Sequence, residues 1–213
     1  MQKIVVSIAA VLLLVAGLAL TPNPQAADWV SLFDGKTLTG WKAAENAGTF
    51  SVQDGAIVVF GPRAHLFYDG PVNSHNFRNF EWKAQVKTMP GANSGMFVHT
   101  AYQEMGWPNK GYEIQVNQTH TDWRKTGSVY ALQDVKDVFV KDNEWYTEHI
   151  TVQGKRVTIK INDKVINDYT EPDSVSNAAN SQKKLSSGTI ALQGHDPKSK
   201  VYFKDIMVRV LPN

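Results

Sequence analysis

Alternation limits what this chain can fold into more than any other feature. From Trp29 to Val210, apolar and polar residues trade places at every second position in short runs bounded by turn residues. In FEWKAQVK, Phe80, Trp82, Ala84 and Val86 share one face, and Glu81, Lys83, Gln85 and Lys87 share the other, as a half-buried strand requires. FSVQDGAIVV sets Asp54-Gly55 between two apolar runs, a hairpin signal, because a tight primed turn needs residues that tolerate positive φ. ITVQGKRVTIKINDKVI reads as a meander turning at Gly154-Lys155 and Asn162-Asp163. GTIALQG and VYFKDIMVRV supply two more strands. In the second, Val201 and Phe203 keep one parity while Ile206, Val208 and Val210 keep the other, and a bulge near Lys204-Asp205 would reconcile them. No segment beyond the N-terminal region sustains a helical period. The polar stretch from Pro172 to Lys184 reads as a long loop with at most one helical turn.

About ten short strands without helices predict an all-β fold with two packed antiparallel sheets. A jelly-roll sandwich is preferred to a barrel, because the outer face of one sheet can then curve into a cleft. With 213 residues and 42% of them hydrophobic, the chain can fill one core, so residues 28–213 are expected to form a single domain. Trp29, Trp41, Trp82 and Trp145 are expected in that core.

Residues 1–27 read differently. Lys3, an apolar and small-residue run from Ile4 to Leu20, and the polar exit TPNPQAA predict an export signal, hence a periplasmic or secreted protein. The chain has no cysteine, which excludes disulfides, thiolate chemistry and a lipid-acylated cysteine. Its net charge is +2 with no basic run, which argues against a nucleic-acid partner. No membrane partner is expected once the signal is removed.

The chemistry concentrates between Asn93 and Tyr130. Period 2 sends Glu113, Gln115 and Asn117 to one face of their strand and Tyr112, Ile114 and Val116 to the other. The preceding strand carries His99, and His120 and Lys125 follow. An acid, amides and imidazoles on an open face suit a polyhydroxylated ligand. Trp107 and Trp123, in flanking loops, can each cover the C–H face of a sugar ring. His195 follows a strand in LQGHD, beside a glycine and an aspartate. His99, His120 and His195 could also hold a divalent metal with Glu113, and Asp34 and Asp196 could offer oxygens to calcium, though no metal signature is matched.

Five motifs occur in order: LFDGKTLTGW at 32–41, NSGMFVH at 93–99, GYEIQV at 111–116, TGSVYAL at 126–132 and LQGHDPKSKVYFKDIMVRVLP at 192–212. Together they resemble the bacterial 3-keto-disaccharide hydrolase family, also known as domain of unknown function 1080. That resemblance implies a concanavalin-like jelly roll, export, and action on oxidised mono- or disaccharide glycosides whose sugar carries a C3 ketone. Glu113 and Gln115 match the family's G-Y-E-x-Q pattern, and Gln193 and His195 match L-Q-x-H. The family often has arginine where this chain has His99. The E-x-D-x-x-E run of sandwich-fold glucanases, with its flanking carboxylates, is missing. A C3 ketone opens another route, since it acidifies the C2 hydrogen and permits elimination of the C1 substituent. Glu113 or His195 is the expected base, with Gln115, His99 and Lys125 as donors to the oxyanion or hydroxyls. The rival reading is a lectin-like module that binds glycans without cleaving them.

Overall fold

The computed structural model describes residues 28–176 and 182–212, so the expected export signal lies outside the described residues. Strands follow one another as β1 (Val30–Ser31), β2 (Trp41–Ala44), β3 (Phe50–Gln53), β4 (Ala56–Phe60), β5 (Ala64–Tyr68), β6 (Phe80–Thr88) and β7 (Asn93–Thr100). After these come β8 (Tyr112–Asn117), β9 (Tyr146–Gln153), β10 (Arg156–Ile161), β11 (Lys164–Thr170), β12 (Thr189–Gly194) and β13 (Lys200–Val210). A single helical turn, α1 (Asp173–Ser176), sits in the polar stretch. An eight-stranded sheet runs β11-β10-β9-β6-β13-β4-β3, with β1 beside β13, and a five-stranded sheet runs β2-β5-β12-β7-β8. Every pairing is antiparallel. The all-β sandwich is therefore as expected.

The inner faces are those that alternation assigns. Phe80, Trp82, Ala84 and Val86 of β6 meet Tyr112, Ile114 and Val116 of β8 in one continuous core. Burying side chains of this size is worth about 1.5–3 kcal/mol each, which is how a domain without disulfides holds together. Asp54 and Gly55 both have positive φ in the β3–β4 hairpin, and the β10–β11 turn repeats this at Asn162 and Asp163. In β13 the register against β6 shifts between Lys204 and Met207, with Asp205 at φ 49°. This is the bulge that the parity change requires.

Two of the four tryptophans expected in the core lie elsewhere. Trp41 and Trp82 are buried. Trp29 lies under Lys83 and Arg209, and Trp145 under Lys87 and Lys204, on residues of outward parity in β6 and β13. Stacking of a cation on the indole shields each ring without burying it in the core.

Across the outer face of the five-stranded sheet, register aligns Lys42, Phe67, Ala191, Phe97 and Glu113 in one row. In the next row Ala44, His65 and Gln193 stand side by side, and Gly95 stands opposite Gln115. Outward parity on β12, β7 and β8 thus brings Gln193, Glu113 and Gln115 together from segments far apart in sequence.

Candidate functional site

Glu113 is at the centre of this face. Gln193 donates through Nε2 to Glu113 Oε1 at 2.9 Å. Gln115, with its amide nitrogen facing the available acceptors, donates to the same oxygen at 3.2 Å and to the Ser94 carbonyl at 2.9 Å. The carboxyl lies across Gly95, where a Cβ would stand 2.6 Å from Oε1. Only a residue without a side chain leaves that space, which accounts for the glycine within strand β7. Burial pushes the Glu113 carboxyl up to about 7, against the lowering influence of the Gln193 hydrogen bond and the Lys183 charge. At neutral pH it is poised between proton donor and acceptor.

A cavity of about 440 Å³ opens over this carboxyl. Gln115, Gln193, His195, Lys183, Tyr130 and Trp107 contribute to its wall. His195 Nδ1 meets Asp196 Oδ2 at 2.8 Å, and its ring packs 5.4 Å from both Trp107 and His120. Asp196 is held in turn by the Ser199 hydroxyl at 2.7 Å and by backbone N–H groups of Lys198 and Ser199. Burial alone would raise the Asp196 carboxyl. The hydrogen bonds from Ser199 and His195 outweigh it and take the group down to about 2. An ionised carboxylate at Nδ1 fixes the neutral imidazole tautomer with its lone pair on Nε2. Two carboxyls in one region are thus driven apart in acidity, the arrangement that separates acid from base roles.

The remaining expected contacts sort clearly. Trp107 lines the cavity, over an edge-on contact with His65 at 5.7 Å. Trp123 stands outside the cavity lining, stacked with Arg124 and Lys136. Lys125 spends its ammonium on the carbonyls of His120 and Asp122, each at 2.9 Å, and so braces the loop after β8. Asn117 does the same for Asp122 and Arg124. His99 faces away from the cavity. A bulge in β7 against β12, with His99 at φ 54°, reverses its parity and turns the ring toward Phe80. There Nδ1 accepts from the Ser186 N–H at 3.1 Å and Nε2 meets the Arg78 carbonyl at 2.8 Å. Burial holds this imidazole neutral, down to about 4, with the Arg78 bond opposing. Asp34 closes a turn by accepting the N–H groups of Lys36 and Thr37, both at 2.7 Å.

His120, His195 and Asp196 offer ligand atoms within 4.8 Å of one another, near enough to share a divalent cation. The three residues also carry hydrogen bonds: His195 Nδ1 to Asp196 Oδ2 at 2.8 Å, and His120 Nδ1 to the Asp122 N–H at 3.1 Å. Glu113 and His99 are not members of the cluster.

Residues 28–209 match the 3-keto-alpha-glucoside-1,2-lyase-like domain. The chain belongs to this family. It is 25% identical over 170 residues to a 3-keto-disaccharide hydrolase of Bacteroides thetaiotaomicron, an alignment spanning 66% of this chain and 58% of that protein. Among solved structures, a candidate glycosyl hydrolase from Parabacteroides distasonis superposes with a TM-score of 0.71 at 25% identity, covering 86% of this chain and 94% of that one. A β-glucanase from Bacillus licheniformis, 12% identical, shares the concanavalin-like sandwich with a TM-score of 0.57 over 89% of this chain and all of its own.

Within this lyase-like domain, Lys183 and Tyr130 line the cavity without a sequence signal for a site role, and Asp196, in sequence a calcium candidate and the neighbour of His195, holds that imidazole. Lys183 donates to the Pro108 carbonyl at 2.6 Å, tying its segment to the Trp107 loop. It sits in the polar stretch without periodicity, where no sequence signal marks it. Asp196 does carry a signal: an aspartate two and three residues before backbone donors is a turn former that can also hold its histidine neighbour.

Proposed function

We propose that this chain cleaves the glycosidic bond of 3-keto-glycosides, including 3-keto-disaccharides, by removing the C2 proton and eliminating the C1 substituent, with later water addition giving net hydrolysis. The observation that carries the reading is the pair of unlike groups on one cavity: a carboxyl near pKa 7 at Glu113 and an aspartate-held imidazole at His195. Family membership and the likeness to the Bacteroides thetaiotaomicron hydrolase support it.

The ketone makes C2–H acidic, and its electrons collect as an enolate on the C3 oxygen. His195 Nε2, kept as a lone pair by Asp196, takes the proton. The Lys183 ammonium brings positive charge to the wall where that oxygen can rest. Glu113 in its acid form gives a proton to the departing glycosidic oxygen, and Gln193 and Gln115 keep its carboxyl aimed. Trp107 offers its indole face to the sugar ring. The reading includes export to the periplasm or beyond, on the sequence of residues 1–27.

The test compares a 3-keto-α-glucoside with the same glycoside unoxidised, with and without chelator. Cleavage confined to the keto substrate is expected. Equal cleavage of both would overturn the elimination route, and binding without turnover of either would favour the lectin reading. Loss of turnover on chelation, restored by added metal, would assign the His120–His195–Asp196 cluster to a cation.

A further inference from the structure

A second cavity, about 340 Å³, lies over the same outer sheet face near its β2–β5 edge. The loop from Ala101 to Gly111 separates the two. Its Tyr102 packs on outward Phe67 at 5.5 Å, its Trp107 packs on outward His65 at 5.7 Å, and each ring borders a different cavity. Nothing in the lyase chemistry uses the second space.

We infer that this second cavity is a separate, non-catalytic binding site for a neutral hexose unit. Its wall combines a partly exposed aromatic ring, Tyr102, with donors and acceptors suited to hydroxyls: Lys42, Asp69, Ser74, Asn76 and Thr100. Lys42 stands 3.8 Å over one face of the Tyr102 ring. Among the described residues, no hydrogen bond within the protein engages the Ser74 hydroxyl or the Asn76 side-chain amide, and the Thr100 hydroxyl is buried without a partner. The segment carrying two of these groups is also strained. Asn73, Ser74 and His75 occupy the left-handed region in succession, at φ 49°, 51° and 46°. Left-handed backbone at residues other than glycine is unfavourable and persists only where the surrounding structure holds it. Hydroxyls, an amide, a carboxylate and an ammonium around a ring face match a sugar's alternating donors and acceptors, whereas an apolar ligand would leave them unpaired. A volume of this order admits a hexose ring.

The experiment is a titration of the isotope-labelled protein with methyl α-glucoside and methyl α-galactoside, read by amide chemical shifts. Saturable shifts at Thr100, Tyr102 and Asn76, independent of those at Gln193 and His195, are expected for at least one of the two. The double variant Asp69→Ala/Asn76→Ala should weaken them at least tenfold while turnover at the Glu113 site stays unchanged. Both positions are exposed, so folding is preserved, and an unaltered spectrum elsewhere verifies it. Absence of saturable shifts, or shifts that survive in the variant, would overturn the assignment. Response to glucuronate alone would overturn the neutral class. Turnover of 3-keto substrates is read separately, so failure here leaves the catalytic reading standing, and the reverse holds.

Discussion

At the residue scale, the account turns on the environment of Glu113. Its carboxyl is raised to about 7 by burial, and the mechanism uses its acid form. The rate should therefore fall above pH 7, about tenfold per unit, as the carboxyl ionises. Glu113→Gln keeps the volume and the Gln193 contact but has no proton to give. It should lower kcat on a 3-keto-glucoside by about 100-fold or more, erase the alkaline limb, and leave Tm within a few degrees. Asp196→Asn should act through His195. It retains the shape of the turn but removes the charge that selects the Nε2 lone pair, so kcat should fall by about 10–100-fold with KM little changed. A profile of KM rather than kcat changes would instead assign Asp196 to substrate binding.

At the element scale, strand β7 holds two devices. Gly95 leaves room for the Glu113 carboxyl. Gly95→Ala, ordinarily neutral or mildly stabilising in a strand interior, should here displace the carboxyl by steric contact and reduce kcat at least tenfold with the fold intact. The bulge at His99 holds a neutral imidazole between two backbone groups. His99→Leu should strand the Arg78 carbonyl and the Ser186 N–H and cost about 2–4 kcal/mol by urea unfolding, without lowering kcat per folded molecule. A large kcat loss would return His99 to the site.

The same strand shows why sequence reading succeeded where it did. Parity placed Glu113 and Gln115 outward and Tyr112, Ile114 and Val116 inward, because β8 is regular across those positions. Parity failed at His99 because one extra residue reverses every side chain beyond it. That extra residue is set by pairing with β12, some ninety positions away, which alternation within β7 does not reveal. In β13 both sides of the bulge carry apolar residues, so the break was visible. Lys125 and Asn117 were legible as polar and near the acid, but their use on backbone carbonyls depends on how the loop after β8 closes. Lys183 enters the site from a stretch that has no period at all.

At the scale of the whole molecule, one buried group stands out. Glu148 of β9 is fully buried, and neither carboxyl oxygen has a hydrogen-bond partner among the described residues. Burial raises its pKa well above the ordinary value. A carboxyl raised in the fold is protonated there but ionises in the unfolded chain near its ordinary value of 4.5. The unfolded state therefore binds fewer protons once pH exceeds that value, and stability is lost progressively as pH rises toward the folded pKa. Glu148→Gln removes this dependence. Its Tm should exceed that of the parent by on the order of 5 °C at pH 8 and differ little at pH 4, by calorimetry. The opposite trend would mean that Glu148 is ionised in the fold.

The two sheets serve different ends. The eight-stranded sheet supplies the platform and most of the core, while the outer side of the five-stranded sheet carries both cavities. The most direct test of what happens at the Glu113 end is isotope incorporation at C2. Turnover of a 3-keto-α-glucoside in deuterium oxide should release a sugar carrying deuterium at C2, and Glu113→Gln should slow its release. Cleavage that leaves the original hydrogen at C2 would contradict proton removal and, with it, the proposed chemistry of the cavity.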